Sequence, residues 1–329
     1  MAAGLKRDWC LEITGLTRNQ FYYVSKGTKS GRARSQQTIW RDPSDRQLYH
    51  IENVAVVQTI VEIKLNPDLS NWYRLITIHL QLRGYYINHK KVYRLMKEYL
   101  LLEEPRKRTG RSFVKFRRVA PTRSLQVIEM DIKYVWIYGV RKYAYILTII
   151  DTFTRYVLHW AVGYTMKSAQ VKASWEYVIA NYLQPVGLRK EKIDIEVRND
   201  NGKQFNSKLI HTFFEENHLD QVFTHPYSPE ENGHIESFHN TLGKALNIDK
   251  FTSLEQVEGR LKKFYARYNN DRSHSSIKGL PPAKFWALFD MDKIEIIPLD
   301  KRRIKFELKV AYQEILTLPG IHKYNYRAN

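Results

Sequence analysis

Residues 199–242 read NDNGKQFNSKLIHTFFEENHLDQVFTHPYSPEENGHIESFHNTL. At one end Asp200 closes a strand-like run, IDIEVRND; at the other Glu236 lies in a helical pattern entered through the Pro- and Gly-bearing loop HPYSPEENG. Between the two acids stand 35 residues, room for a helix and a strand. Asn206 or Ser207 suits the N-cap of that helix, and Leu209, Ile210, Phe213 and Phe214 suit its inner face. Residues 219–224 suit the strand.

Upstream of this stretch, residues 127–137 read as an extended amphipathic strand with Asp131 inside it. Residues 143–150 are almost wholly apolar, the mark of a strand buried on both faces. A third strand is expected at 155–162, then a helix over 167–183 with Val171, Trp175, Val178 and Ile179 on one side, then a strand at 193–197. The order βββ-α-β-α-β-α predicts an α/β mixed sheet flanked by helices. Downstream, 254–268 reads as an amphipathic helix with Val257, Leu261 and Phe264 along one face. Residues 292–318 alternate like short strands and predict a small β appendage.

The charge balance points to a partner. Lys and Arg number 53 against 34 Asp and Glu, a net charge of +19 with a pI near 9.7. An excess of that size favours a polyanion, most simply nucleic acid, over a merely soluble basic protein or one drawn to anionic membrane. Hydrophobic residues make up 43% of the chain, enough for packed cores. No apolar run is long enough to span a bilayer, and the N-terminus lacks a signal peptide's apolar core, so a cytoplasmic, nucleoid-associated protein is expected. Cys10 is the only cysteine, which excludes intramolecular disulfides and Cys-based zinc clusters.

The N-terminal third reads as helical. Residues 8–25 form two short helices meeting at Gly15-Leu16-Thr17, with Thr17 as N-cap and Leu11, Ile13, Phe21 and Val24 as packed faces. This suits either a helix-turn-helix or a hairpin without DNA contact, and 26–49 suits an exposed basic linker. Residues 50–104 predict a helix-turn-helix-like domain, its helices ending near Asn66-Pro67, ending at Arg83-Gly84, and starting after Asn88. On the last helix Val92, Leu95, Met96 and Tyr99 make an apolar face, while Lys90, Arg94 and Lys97 make a basic stripe elsewhere. Such a helix suits DNA recognition; its alternative is an ordinary solvated face. Residues 105–123 carry Arg106, Lys107, Arg108, Arg111, Lys115, Arg117, Arg118 and Arg123, eight like charges. They suit a tether lying along DNA phosphates, or a bare flexible linker.

EMDIKYV around Asp131, IIDTFTRYV at 149–157, NDNGKQF at 199–205, YSPEENGHIESFHNTL at 227–242 and YNNDRSHSSIKGLPPAKFW at 268–286 occur in order along the chain. Together with CLEITGLTRNQFYY and INHKKVYRLMKEYLLL upstream, they make the sequence resemble a DDE transposase of bacterial insertion sequences. The likeness is narrowest to insertion sequence family three, in the product of its second reading frame. That resemblance implies a ribonuclease H-like integrase core over 124–290, with small all-α domains before it and a β-rich tail, 291–329, after it. It implies that Asp131, Asp200 and Glu236 hold Mg²⁺ or Mn²⁺, two ions by expectation, and that Asp131 and Asp200 sit on neighbouring strands. Two such ions, about 3.5–4 Å apart, activate an oxygen nucleophile and stabilise the leaving oxygen, and hard carboxylates suit them. No protein nucleophile is then required: water frees the element's 3′ ends, and the 3′-OH attacks new DNA. The loop before Glu236 is expected to order on DNA.

The resemblance further implies double-stranded DNA as partner, a homo-multimer on that DNA, and the product of an upstream reading frame that supplies another helix-turn-helix and a coiled coil. Beginning at Met1, this chain is expected to lack both. A catalytically inactive or inhibitory DNA-binding derivative is the alternative reading. A retroelement integrase would need an N-terminal His-His-Cys-Cys zinc module, which one cysteine cannot supply.

Two departures from the family's pattern are visible. Gly243 stands where a basic residue is usual, and Lys244 follows, turned about 100° around the helix. The glycine also weakens that helix locally. Trp72 stands where the family has a glycine. Asp151 is expected to cap a turn or to partner Arg155, and His225, His234 and His239 to be near DNA or structural. Arg272 and His274 suit either phosphate contact or packing on the core.

Overall fold

The computed structural model describes residues 4, 6–24, 34–69, 72–103, 121–185, 195–224, 233–247, 249–299 and 303–326. The expected basic tether from Arg106 to Arg118 and the loop at 225–232, His225 included, lie outside the described residues. The chain divides into two compact units, Met1–Gln37 and Thr38–Asn329.

In the first unit, α1 (Arg7–Thr14) ends at Gly15 in the left-handed conformation, and α2 (Arg18–Phe21) starts at a capping box. There Thr17 Oγ1 accepts the Gln20 N–H at 3.3 Å while Gln20 Oε1 accepts the Thr17 N–H at 2.9 Å, so the expected cap is present. The expected packed faces are not. Ile13, Phe21 and Val24 are exposed, and neither helix buries a residue, because two helices this short have too little surface to enclose a core.

The second unit opens with β1 (Gln37–Arg41) and β2 (Leu48–Glu52), where a linker was expected. Asp42 organises the turn between them, accepting from the Ser44 N–H at 2.8 Å and the Ser44 hydroxyl at 2.6 Å. Three helices follow: α3 (Asn53–Leu65), α4 (Tyr73–Leu82) and, after the two-residue strand β3 (Tyr85–Tyr86), α5 (His89–Glu98). β1 lies between β2 and β3, and Trp40 packs on a core that includes Val56, Ile60, Ile76, Leu80 and Leu95. The strands form because that aromatic closes the open side of the helices and its indole N–H reaches Arg83 O at 2.9 Å. Gly84 is required there: φ is +90°, and a Cβ would stand 2.4 Å from Arg41 O. Asn88 caps α5 as expected, its Oδ1 accepting the Lys91 N–H at 2.9 Å.

The main sheet has five strands: β4 (Val127–Ile137), β5 (Lys142–Asp151), β6 (Val157–Gly163), β7 (Ile195–Asn199) and β8 (Leu219–Phe223), in the spatial order β6-β5-β4-β7-β8. β5 runs antiparallel between β4 and β6, while β7 joins β4 and β8 joins β7 in parallel. Two helices, α6 (Ser168–Val178, extended by a π turn at Ile179–Leu183) and α7 (Lys208–Glu216), cover one face through Trp175, Val178, Ile210 and Phe214. The other face is covered by α8 (Gly233–Leu246) and α9 (Leu254–Asn270) through Phe238, Leu242, Leu261 and Phe264. This is the mixed sheet flanked by helices that the order of elements predicts, and it fits the ribonuclease H-like core that the resemblance implies. Arg155, expected in the third strand, instead closes a turn at φ +65°. That turn is built on buried Asp151, which accepts the Thr154 N–H at 2.9 Å, so Asp151 is the cap it was read to be.

The tail is more than an appendage. α10 (Pro282–Asp290), the antiparallel pair β9 (Ile294–Leu299) and β10 (Arg303–Leu308), and the short α11 (Tyr312–Ile315) share a core with Leu82 of α4 and with Phe153. The chain then returns to the sheet. Tyr324 stacks on Trp286 at 4.2 Å between ring centroids, and Tyr326 Oη accepts the Trp160 indole N–H at 2.8 Å. Among the described residues no helix is long and apolar enough to cross a membrane.

Candidate active site

Asp131 and Asp200 are brought together by strand register. β4 and β7 run parallel with Val127 opposite Glu196 and Glu129 opposite Arg198. Carried two residues further, the same register sets Asp131 level with Asp200, and neighbouring strands are about 4.8 Å apart. Side chains alternate across a strand, and Ile128, Met130, Ile132, Ile195 and Val197 belong to the core under α6 and α7. Both aspartates therefore lie on the opposite face, towards α8.

Each aspartate is held by short local contacts. Asp131 Oδ1 accepts the N–H of Ile132 at 2.7 Å, and its Oδ2 lies 3.2 Å from His239 Nδ1. Asp200 Oδ1 accepts the Gly202 N–H at 3.0 Å, and buried Asn199 holds the main chain beneath it, donating from Nδ2 to Asp200 O at 2.7 Å. Partial burial pushes the Asp200 carboxyl above the usual carboxylate range; the Gly202 N–H opposes this, and the neighbouring Asp131 charge adds to it. Two carboxylates that repel each other across neighbouring central strands are a donor set of hard oxygens suited to a divalent cation, which would relieve that repulsion. Among the described residues, no three His, Cys, Asp or Glu side chains already close to metal-binding distance.

The third acid, Glu236, is exposed in the first turn of α8. The sheet fixes that helix on both sides of it. Glu129, fully enclosed, accepts the Ile235 N–H at Oε2, 2.7 Å away, and meets His234 Nδ1 at Oε1, 2.9 Å away. Three residues beyond Glu236, and so on the same side of the helix, His239 meets Asp131. A buried acid on an unbonded helix N-terminus also complements the helix dipole. Burial pushes the Glu129 carboxyl up to about 7, the Ile235 N–H and the Arg155 and Arg198 charges pull it down, and Asp131 raises it further. Sequence reasoning passed over Glu129. The available signal was its place two residues before Asp131 on the same strand, which puts it on the face that meets α8.

The expected DNA contacts divide. Lys90 and Lys97 are exposed on α5 and Lys244 is exposed on α8, while Arg94 is half-buried and lies 3.8 Å from Glu98. Arg272 is turned inward: its Nη1 donates to Asp68 O at 2.5 Å, at the junction between the helical domain and α9. The same junction holds the fully buried Asp68 carboxylate between Arg260 and Arg267. Of the two readings offered for Arg272, packing is the one its position fits. His274 likewise packs edge-on against Tyr268, its ring centroid 4.7 Å away, and its pKa is driven well below the ordinary value by burial.

Against known families, an integrase core domain model matches residues 121–229, and a second integrase core model matches residues 217–282. The chain carries an integrase core domain. The chain is 30% identical over 203 residues, 61% of its length, to an uncharacterized 39.2 kDa protein of insertion element IS476 from Xanthomonas euvesicatoria. That match spans 56% of the relative's length. An uncharacterized 31.7 kDa protein of insertion element IS407 from Burkholderia multivorans is 24% identical over 80% of this chain and 88% of its own. The transposase for insertion sequence element IS904 of Lactococcus lactis is 24% identical over 43% of this chain and 54% of its own. The resemblance to insertion-sequence transposases, read from the motif blocks, is borne out by these matches to the integrase core and its relatives.

Proposed function

We propose that this protein is a transposase that binds double-stranded DNA at the ends of an insertion sequence and catalyses divalent-metal-dependent strand cleavage and strand transfer. The observation that carries the proposal is the parallel register of β4 and β7, which continued past the end of β7 sets Asp200 level with Asp131, beside a helix held to the same sheet by Glu129 and His239. Asp131, Asp200 and Glu236 are the residues that would hold Mg²⁺ or Mn²⁺. When bound, such ions supply activation of the attacking oxygen and charge stabilisation at the leaving oxygen.

The remaining work falls to the chain itself. The sheet keeps the two aspartates rigid, so the cost of gathering like charges is met on folding and not on DNA binding. His239 fixes the rotamer of Asp131 from the helix side, and Gly202 fixes that of Asp200. The net charge of +19 draws in DNA, and Lys90, Lys97 and Lys244 are exposed cations available to its phosphates. The active species is proposed to be a homo-multimer on DNA, with the upstream-frame product as a further partner.

The test uses duplexes copied from the DNA flanking the coding frame, incubated with the purified protein and Mg²⁺, and reads nicked and joined products. Wild-type protein is expected to give both, and Asp200→Asn to give neither. Full strand transfer by Asp200→Asn overturns the assignment of the three acids.

A further inference from the structure

The face of β4 turned towards α8 presents Glu129, Asp131 and Lys133 in succession. Glu129 takes the Ile235 N–H, Asp131 meets His239, and Lys133 lies over Gly243. Two strand residues advance about 6.6 Å and four helix residues about 6 Å, so strand and helix stay in step through all three positions. The first joins a carboxylate to a helix N–H, and the second sets a carboxylate 3.2 Å from an imidazole nitrogen. The third is different: Cε and Nζ of Lys133 each lie 3.3 Å from where a Cβ would stand on Gly243.

No described residue gives that ammonium a hydrogen bond or a carboxylate. Lys133 is half-buried, so water solvates its charge only in part. The nearest acid along the strand, Asp131, accepts the Ile132 N–H at one oxygen and has His239 Nδ1 3.2 Å from the other. A partly desolvated cation beside an acid it does not bond is poised for an anion from outside. Its position also explains a glycine in mid-helix: a longer side chain at 243 would occupy the space of the ammonium.

We infer that Lys133 is a phosphate-positioning residue. Its ammonium takes a non-bridging oxygen of a DNA phosphodiester lying against the Asp131–Asp200 pair, and Gly243 is the notch in α8 that lets it reach. The inference rests on the DNA-cleavage reading above. It makes the strand, and not Lys244 on the helix, the source of the cation at this point of the site.

The experiment measures binding of the full chain to the flanking-DNA duplexes by fluorescence anisotropy, with Ca²⁺ in place of Mg²⁺, between 50 and 200 mM NaCl. Loss of one phosphate contact makes the slope of log affinity against log salt shallower by about 0.9, a change a merely structural lysine would not produce. Lys133→Gln is expected to show that shallower slope at an unchanged melting temperature, and Lys133→Arg to restore the wild-type slope. Gly243→Leu, which fills the notch and keeps the lysine, is expected to behave as Lys133→Gln does, and it decides the matter if Lys133→Gln fails to fold. A wild-type slope in Gly243→Leu or in folded Lys133→Gln overturns the inference while leaving the transposase reading intact. A wild-type protein that neither binds nor nicks these duplexes overturns both.

Discussion

Replacing Asp68 with asparagine removes one charge from the junction between the helical domain and the integrase core without changing its size. The carboxylate is fully enclosed and takes Arg260 at 3.1 Å and 2.5 Å and Arg267 at 3.0 Å. Removing one partner of a buried ion pair costs about 3–5 kcal/mol, because the remaining charge is left uncompensated. Two features set the loss at the low end. Arg260 keeps Ala245 O at 3.2 Å and Asp249 at 3.7 Å, and the Arg267 side chain is 42% exposed and rehydrates. The expected loss is therefore about 3 kcal/mol, and at about 2–4 °C per kcal/mol for a unit of this size the melting point falls by about 6–12 °C. Thermal unfolding of the full chain followed by circular dichroism measures it. Combining Asp68→Asn with Arg267→Ala in a double-mutant cycle is expected to reveal a coupling of about 1 kcal/mol. A single variant melting within about 2 °C of wild type would refute the view that this ion cluster holds the two parts together.

Three further outcomes are expected. Gly84→Ala forces a Cβ against Arg41 O at a left-handed position and is expected to cost about 2 kcal/mol or more, read as a fall in the urea midpoint; an unchanged midpoint would show that the strand and the helix end do not pack as described. His79 is buried, and its pKa is lowered to about 4 by that burial and by the Arg83 and Arg272 charges. Its folded pKa lies below the unfolded value, so its contribution is complete above about pH 6.5 and is lost as pH falls towards 4. Relative to His79→Gln, wild type should thus lose about 2–3 kcal/mol over that window, and a pH-independent difference between the two would contradict it. Tyr324→Ala removes the ring stacked on Trp286 and is expected to destabilise the integrase core by about 2 kcal/mol, whereas a detached tail would leave calorimetric stability unaltered.

The elements that carry the site were legible because their patterns are unambiguous. The apolar run of β5 and the alternation of β4 announce a sheet, and the i, i+3, i+4 spacing of α7 announces its cover. The adjacency of Asp131 and Asp200 was legible only through the resemblance, since nothing in local pattern sets the register of two strands far apart in sequence. Glu129 and Asp68 were not legible at all. Both are acids in enclosed places, and an isolated acid in a sequence ordinarily marks solvent. Only the opposing donors, Ile235 N–H for one and Arg260 and Arg267 for the other, explain their burial, and these arrive from more than a hundred residues away. The strands at 37–52 were missed for a related reason. Their partners are a two-residue strand and the flank of a helical core, so too little alternation accumulates to distinguish them from a linker.

Glu129 changes what must be explained about Glu236. From sequence, the third acid sits beyond a loop, and its placement is a matter of how that loop orders on DNA. In the fold, the residue before Glu236 and the residue three after it are both fastened to β4, the strand that carries Asp131. The helix is therefore registered against the first aspartate by two side-chain contacts, one on each side of the acid. Under the proposed function, what remains for DNA to adjust is the Glu236 side chain, which is exposed and has several rotatable bonds, and not the helix backbone that presents it. Under the proposed function, a site built this way closes on a cation by side-chain movement, and the reorganisation required at the moment of reaction is correspondingly small.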